Sequence, residues 1–440
     1  MNLRAAFCLV SLSLTGQAFS LDWGGSIEDS TGANLTASTV INQSETGRLW
    51  VQQAFGRSAN LTLKASVYHS LTLDSSASGP SGAVSADLDA LVFTGGGLKV
   101  GRTLYQDFSS TLLNTVLDGV EYDLSIPGLD LTFLVGTSMF VFQDQSTIAI
   151  SQADLNDRIA GQKIQWSDPS TYLAPPRAVA YLEGDLTRLA KDQTLKLGLA
   201  GQYDLRSGTA DSKGAPVSMA YAGLGGSGRL FGPVYWDLWA YGGMGKSQTQ
   251  VTVAGTKTVT KTWADNTILN AIGNLDLTVL VPDWNNSVLN LGIMAGSWDP
   301  DGTAPSQNAQ SGNSPSLYTG YFGVSRTGSA LIFNPQPTNL VLSQVLFSFK
   351  PFARDPGPAG SIQVAASGFA FVRPTSGPVT ESGVDPKRSD LYLASEGDLN
   401  LLFRPASDWG GSLGFGTLVP GAAMTRKMEY KVQLGLNLSF

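Results

Sequence analysis

The residue types that most often carry catalysis or bind metals are scarce in this chain. Among its 440 residues there is one histidine, His69, and one cysteine, Cys8. Metal sites of the histidine–cysteine kind need several such ligands, and Ser–His or Cys–His sites need a histidine beside the nucleophile. We therefore predict no catalytic residue, no metal site and no bound cofactor.

His69 itself stands on the apolar side of an alternating segment, close to its end. That position predicts a residue at a membrane interface rather than a general base. An enzymatic alternative is a barrel phospholipase with a Ser–His pair on a lipid-facing rim, but no second feature of the sequence supports it.

Charged and aromatic side chains at alternating positions carry the remaining chemistry. One side of the stretch VYWDLWAYGG, residues 234–243, carries Tyr235, Asp237, Trp239 and Tyr241. In other alternating segments, the side expected to face inward carries Lys64, Lys99, Lys196, Glu396, Asp398 and Lys431. If these side chains line a pore, aromatic faces would guide amphipathic solutes such as sugars, and an excess of carboxylates would favour cations. The alternative is an aromatic girdle with ordinary packing inside.

The composition points away from an ordinary soluble protein. Only 14% of the residues are charged and 50 are glycine, whereas soluble domains carry about 25% charged residues. Beyond the N-terminus no long apolar run occurs, so the apolar residues are dispersed in alternation and not gathered in spanning helices. The formal charge of −7 argues against nucleic acid as a partner.

The first twenty residues have the pattern of a secretory signal peptide. Arg4 precedes a short apolar run, and the small residues Ala18 and Ser20 end the segment. We predict cleavage between Ser20 and Leu21, which leaves residues 21–440 as one domain. Because Cys8 lies inside the removed segment, the mature chain has no thiol and no disulfide framework.

Period-two alternation recurs through residues 21–440, for example in 61–68, 129–136, 195–204, 289–296 and 391–403. This period places alternate side chains on opposite faces of a sheet. Short connectors are expected at 56–60, 95–97, 126–129, 228–233, 282–286 and 404–409. Longer polar segments are expected at 29–45, 74–86, 142–174, 207–215, 246–264, 298–337 and 373–388. Such alternation of short and long connections is typical of antiparallel hairpins.

The segments amount to about 18 strands, or 16 if the region 298–337 contributes none. Only helices and closed barrels satisfy every backbone group in lipid, and bacterial barrels have an even number of strands. A soluble two-sheet sandwich is the alternative, but such a domain rarely needs so many strands. We predict an all-β fold: a transmembrane antiparallel up-and-down barrel with short periplasmic turns and long extracellular loops.

The C-terminus carries the clearest resemblance to a known class. In EYKVQLGLNLSF, residues 429–440, every second residue is apolar, and the chain ends on Phe440. Together with the signal peptide, the cysteine-free mature chain and the alternation, this resembles Gram-negative outer-membrane β-barrel proteins, most of all the porins. Residues 97–124, with a Gly-Arg pair, a loop and then Asp-Gly-Val, resemble a porin segment whose loop often folds into the lumen.

The resemblance implies an outer-membrane channel that small solutes cross by diffusion, with lipid around it. It implies that the last strand closes against the first one, near LDWGGSIED. It also implies recognition by the barrel-assembly machinery through Tyr430, Leu436, Leu438 and Phe440, and a homotrimer is one assembly that it allows.

Two segments are candidates for narrowing or plugging the channel. The first is the loop 106–115, by the resemblance. The second is 142–174, in which Ser151 is a candidate N-cap and Leu155 and Ile159 have helical spacing. A helix on the outer surface is the alternative for the second segment.

Two other functions remain open at this point. One is a surface adhesin or structural barrel that binds other molecules through its long loops. The other is a gated transporter of hydrophobic solutes.

Deleting Phe440 tests the assembly signal. We expect a severalfold smaller fraction of the protein to reach the folded, heat-modifiable form on gels, because the terminal aromatic residue would be missing from the recognised strand. Phe440→Tyr is the matched control, since it keeps a terminal aromatic side chain. Equal assembly of the deletion variant and the wild type would remove the targeting role.

Overall fold

The chain forms a closed wall of antiparallel strands. The computed structural model describes residues 21–35, 39–56, 58–75, 79–151, 154, 168–206, 217–253, 260–299 and 316–440. Within them, eighteen strands build the wall: β1 (Leu21–Leu35), β2 (Thr39–Phe55), β3 (Ala59–Asp74), β4 (Ser81–Gly95), β5 (Leu98–Gln106), β6 (Asn114–Ile126), β7 (Leu129–Thr137), β8 (Arg177–Ala190), β9 (Gln193–Asp204), β10 (Ser218–Phe231), β11 (Val234–Val253), β12 (Thr260–Val281), β13 (Ser287–Gly296), β15 (Leu340–Phe349), β16 (Gln363–Val372), β17 (Tyr392–Phe403), β18 (Trp409–Pro420) and β19 (Glu429–Ser439). A three-residue strand, β14 (Ser316–Tyr318), pairs in parallel with β12.

The first and last strands close the wall. β1 pairs with β19 from Ser26↔Ser439 to Leu35↔Tyr430, and its other edge pairs with β2. The backbone amide of Gly25 donates to the carbonyl of Phe440 over 2.9 Å. The predicted barrel of about 18 strands, closed near LDWGGSIED, is therefore confirmed.

One rim of the barrel, here called the turn rim, carries mostly short connections: 56–58, 96–97, 127–128, 191–192, 232–233, 282–286, 350–362 and 404–408. All six predicted short connectors lie there. In the turn 282–286, Asn285 and Asn286 both have φ of 51°. Asparagine tolerates this left-handed conformation better than most residues, which explains the Asn-Asn pair.

The opposite rim, here called the loop rim, differs in part from the prediction. Among the described residues, loops do occupy most of 138–151, 168–176, 319–339 and 373–391. The prediction of long loops at 29–45, 74–86 and 246–264 was wrong, because most of these residues continue the strands of three hairpins. Polar residues dominate these segments, and that composition favours a loop prediction even where some apolar residues alternate. The predicted segment 207–215 lies outside the described residues.

Apolar side chains cover the outer face of the wall. Leu49 is 61% exposed and Leu436 53% exposed, while their neighbours of opposite parity face inward. His69 lies on this outer face near the loop rim, with its Nδ1 3.5 Å from a carboxylate oxygen of Glu45. Its predicted place on the apolar side of its strand is confirmed, and Leu71 and Leu73 continue that side to the end of β3. No described helix is long and apolar enough to cross a membrane.

The buried apolar residues lie in the barrel interior, where loops pack against the inner wall. One cluster gathers around Tyr105, Leu112, Leu113, Ile148 and Val324, and a second gathers around Phe333 and Phe371. All these side chains are at most 1% exposed. The interior is thus filled in part by packed loops, and the space left between them is where a functional site must lie.

Replacing Gly25 by valine tests closure between β1 and β19. An added Cβ would stand 2.7 Å from Cζ of Phe440 and 2.9 Å from the carbonyl oxygen of Arg48. We expect a loss of about 1–3 kcal/mol, the usual cost of overpacking, seen as earlier loss of the heat-modifiable band on warming. Gly47→Val is the matched control, because nothing lies within 4 Å of its Cβ position. Equal thermal resistance of both variants would contradict this account.

Candidate functional site in the barrel interior

The loop 107–113 follows β5, whose last residues no longer pair with the neighbouring strand β4. The two strands pair only from Gly95↔Leu98 to Leu91↔Arg102, and beyond this point β5 pairs with β6 alone. Gly101 has φ of 128°, and a Cβ there would lie 2.0 Å from the carbonyl oxygen of Leu91. Only glycine fits this backbone approach.

Asp107 holds the loop 107–113 in shape. Its carboxylate accepts hydrogen bonds from the Ser109 amide, the Ser109 hydroxyl and the Leu113 amide at 3.0, 2.5 and 2.9 Å. Burial raises the pKa of Asp107, and these hydrogen bonds act in the opposite direction. Leu112 and Leu113 are fully buried, so the loop is a fixed part of the interior.

Phe108 carries this loop onto the inner face of the wall. Its ring stacks on Tyr241 with the centroids 5.0 Å apart and the planes inclined by 19°. A Cβ at Gly198 or Gly225 would approach the Phe108 ring to 2.8 or 2.9 Å. Two strands thus lack side chains where the ring lies, which explains these glycines.

A second segment, residues 319–339 before β15, also lies inside the barrel. The Phe322 carbonyl accepts from the Tyr221 hydroxyl at 2.8 Å and from the Asn270 side-chain amide at 3.1 Å. The Gly323 carbonyl accepts from the side-chain amide of Gln202 at 3.1 Å. Three inward polar side chains of β9, β10 and β12 therefore anchor one part of the segment.

The segment 319–339 meets the loop 107–113 within the interior. The amides of Val324 and Ser325 donate to the carbonyl of Leu112 at 3.1 and 3.0 Å. The Ser325 hydroxyl accepts from the Asn114 amide at 2.5 Å. The two inward elements therefore form one connected layer.

The far part of the segment 319–339 is held by the wall strands β17 and β19. Oε1 and Oε2 of Glu396 accept from the amides of Ile332 and Phe333 at 2.6 and 2.8 Å. Nζ of Lys431 donates to the Leu331 carbonyl at 3.0 Å. A more distant contact joins the Leu331 amide to Asp398 at 3.4 Å. The segment therefore crosses the interior from β9–β12 to β17–β19.

The loop 138–176 is tied down by buried charges. Asp154 contacts the guanidinium groups of Arg177 and Arg206, each at 2.5 Å. Burial by itself would raise the pKa of Asp154, but these two guanidinium groups hold it below its ordinary value. The Ser151 hydroxyl accepts from the Asp154 amide at 3.3 Å, the contact expected of the predicted N-cap, but the residues that would form the helix lie outside the described ones. Leu155 and Ile159 lie outside the described residues.

Between these elements and the wall lies a cavity of 240 Å³. It is lined by the loop residues Ser109, Thr111, Thr327, Gly328 and Ser329 and by the wall residues Trp239, Asn274, Asp276, Met294, Leu342 and Gln344. This cavity, open along β11–β15, is the candidate site.

A row of inward positions crosses the wall at the cavity. Asp237, Asp276, Gly292 and Gln344 are successive register partners on β11, β12, β13 and β15. A Cβ at Gly292 would lie 2.4 Å from Oδ1 of Asp276 and 2.6 Å from Nε2 of Gln344. The glycine therefore leaves room for the side chains on either side to meet.

The four predicted pore-lining residues of β11 have different surroundings. Tyr235 is 37% exposed near the turn rim, and Asp237 lies beside Asp276. Trp239 reaches the cavity although it is 95% buried, whereas Tyr241 is covered by Phe108. All four stand at the alternate positions of β11 that the sequence predicts to face inward.

The predicted lysines also lie on the inner parity of their strands. Lys99 is 3.2 Å from Glu121 and lies over the Tyr105 ring at 4.4 Å. Lys196 is 3.9 Å from Asp185. Lys64 stands in register between Trp50 and Ala90. Glu396, Asp398 and Lys431 hold the segment 319–339 as described above.

Sequence reasoning missed Phe108, Asp276 and Gln344. Asp276 alternates with Leu275 and Leu277 on β12. Applying the alternation rule to this strand as well would have identified it as an inward residue. No local pattern marks Phe108, because its contacts come from strands more than 70 residues away. Among the described residues no group of three or more histidine, cysteine or acidic side chains is placed to hold a metal ion.

Solved structures share this fold across nearly the whole chain. No protein-family model and no curated protein sequence matches the chain. Pseudomonas aeruginosa OccK8 (OprE) superposes with a TM-score of 0.56 at 12% identity, covering 96% of this chain and 98% of that one. OccK7 (OpdD) gives 0.54 at 11% identity, with 96% and 99% covered. The outer membrane protein opdK of the same organism gives 0.53 at 14%, with 96% and 99% covered.

Glu396→Gln tests the anchor of the segment 319–339. The substitution replaces one carboxylate oxygen by an amide group that cannot accept a hydrogen bond. Hydrogen bonds to charged groups contribute about 1.5–3 kcal/mol, so we expect amide hydrogen exchange in residues 329–334 to accelerate by about tenfold or more.

Glu45→Gln is the control, because Glu45 makes its ion pair on the outer face of the wall. Unchanged exchange in Glu396→Gln, or equal acceleration in both variants, would show that Glu396 does not hold this segment.

Proposed function

We propose that this protein is an outer-membrane channel through which small hydrophilic solutes diffuse. Its lumen is polar and is narrowed by the loop 107–113 and the segment 319–339. The shared fold of the solved outer membrane protein opdK supports the location. The proposed signal peptide, cut between Ser20 and Leu21, would direct the chain to export.

The distribution of side chains supports insertion in a membrane. Closure of the wall leaves no open edge strand between β1 and β19, and the outer face is apolar. A barrel of this kind needs no further protein layer to cover that face in lipid. The turn rim would face the periplasm and the loop rim the exterior.

The observation that carries the proposal is the contact between the two inward elements. Val324 and Ser325 donate to Leu112 inside the closed wall, and a 240 Å³ cavity remains between this contact and β11–β15. Such an arrangement restricts the passage by size without closing it. Diffusion through the remaining space requires no moving part and no energy source.

The wall beside this passage is acidic. Inward positions of β8, β9, β11 and β12 carry Glu183, Asp185, Asp237 and Asp276 against Lys196. Charged rings on a pore wall select ions of opposite sign. We therefore propose a channel that prefers cations to anions.

The last strand fits the proposed assembly role. Tyr430, Leu436, Leu438 and Phe440 all point outward and are between 38% and 63% exposed. They would present one apolar surface to the assembly machinery before lipid covers it.

Planar-bilayer recordings of the purified protein test the channel. We expect ion current with a reversal potential of cationic sign in a salt gradient. Phe108→Ala should raise the single-channel conductance, because the ring fills space between the loop and Gly198 and Gly225. Phe352→Ala, in the turn 350–362, is the matched control, since Phe352 is exposed and outside the lumen. Membranes that carry the folded barrel without ion current would overturn the proposal.

A further inference from the structure

The carboxylate of Asp276 is the charged group of the cavity beside β11–β15. Nδ2 of Asn274 donates to Oδ2 of Asp276 at 2.5 Å, and Nε2 of Gln344 lies 3.4 Å from Oδ1 of the same carboxylate. Each of the two amide groups therefore directs one N–H group at Asp276. The remaining lone pairs of the carboxylate are left for a solute.

The loop side of the cavity adds hydroxyl groups. The hydroxyl of Ser109 donates to Asp107 at 2.5 Å and accepts from the amides of Thr111 and Leu112 at 3.0 and 3.2 Å, so it is fully used. The hydroxyl of Thr111 donates to the Ser109 carbonyl at 3.2 Å, which leaves its oxygen lone pairs for a solute.

The lining of the cavity is negatively charged. Its lining contains the carboxylate of Asp276 and no lysine or arginine. Asp237 is the register partner of Asp276 on the next strand. Lys196 on β9 is 3.9 Å from Asp185 and 5.9 Å from the centroid of the Phe108 ring, and it is not part of the cavity lining.

Apolar side chains complete the lining. Trp239, Met294 and Leu342 face the cavity together with the polar groups. A tryptophan ring attracts organic cations, and the aliphatic side chains accept a short hydrocarbon part. A bare metal ion would gain nothing from this half of the lining.

We propose that this cavity is a transient binding site for small organic cations with an ammonium or guanidinium group on a short apolar body. Asp276 determines this specificity, and Asn274 and Gln344 hold its carboxylate in place. The inference rests on the proposed channel function, because it assigns a solute class to the narrow part of the same lumen.

Block of potassium current by n-butylammonium chloride tests the inference on the full-length protein in planar bilayers. Sodium butyrate and 1-butanol, of similar size but anionic and neutral, are the comparison solutes, and sucrose represents polyols. We expect n-butylammonium to reduce the current at concentrations where the other three do not.

Asp276→Asn should weaken this block by about tenfold, equivalent to roughly 1.4 kcal/mol, and Asp276→Glu should restore most of it. Thr111→Lys, which adds a cation on the loop side without altering the wall, should also abolish it. Asp283→Asn, in the exposed turn 282–286, is the matched control, and n-butylammonium should block its current as strongly as that of the wild type.

The outcomes separate the two proposals. Absence of any current from the folded wild type would overturn the channel itself. Normal current with equal effects of n-butylammonium, butyrate and butanol would overturn only the binding site, as would block that survives in Asp276→Asn. Stronger block by sucrose would replace the organic cation by a polyol.

Discussion

Closure of the backbone hydrogen-bond ladder is the constraint on which the rest of this structure depends. A sheet of eighteen strands satisfies its backbone groups in lipid only if the last strand meets the first, as β19 meets β1 from Ser26↔Ser439 onward. Once the wall is closed, its outer face is stable when apolar and its inner face is free to carry polar groups. The interior then becomes the place where loops pack and where a site can form.

The inner wall works as an anchoring surface for those loops. Gln202, Tyr221 and Asn270 bind one part of the segment 319–339 through backbone carbonyls, and Glu396 binds another part through two amides. Because these anchors stand four to seven wall strands apart, the segment bridges separate parts of the inner wall. The cavity along β11–β15 is the space that this crossing leaves open, which links the loop anchors to the proposed selectivity.

The strands and their order were predictable because each depends on neighbouring residues. Alternation from Tyr430 to Leu438 identifies both faces of β19, and the turn 282–286 carries asparagines that suit its geometry. The error at 246–264 arose from composition: polar residues dominate this segment, although Val251, Val253 and Trp263 share one parity. The backbone pairing of β11 with β12 forms there nevertheless.

By itself the sequence determined the class of the fold, the approximate number of strands and the parity of Asp237, Trp239 and Tyr241. These follow from side-chain period and turn chemistry, which act over a few residues. Only the tertiary structure decided that Phe108 covers Tyr241, that Glu396 holds residues 332–333, and that Asp276 faces Gln344 across Gly292. Such contacts join positions tens to more than a hundred residues apart, and they depend on the curvature and register of the closed wall, which no local pattern encodes.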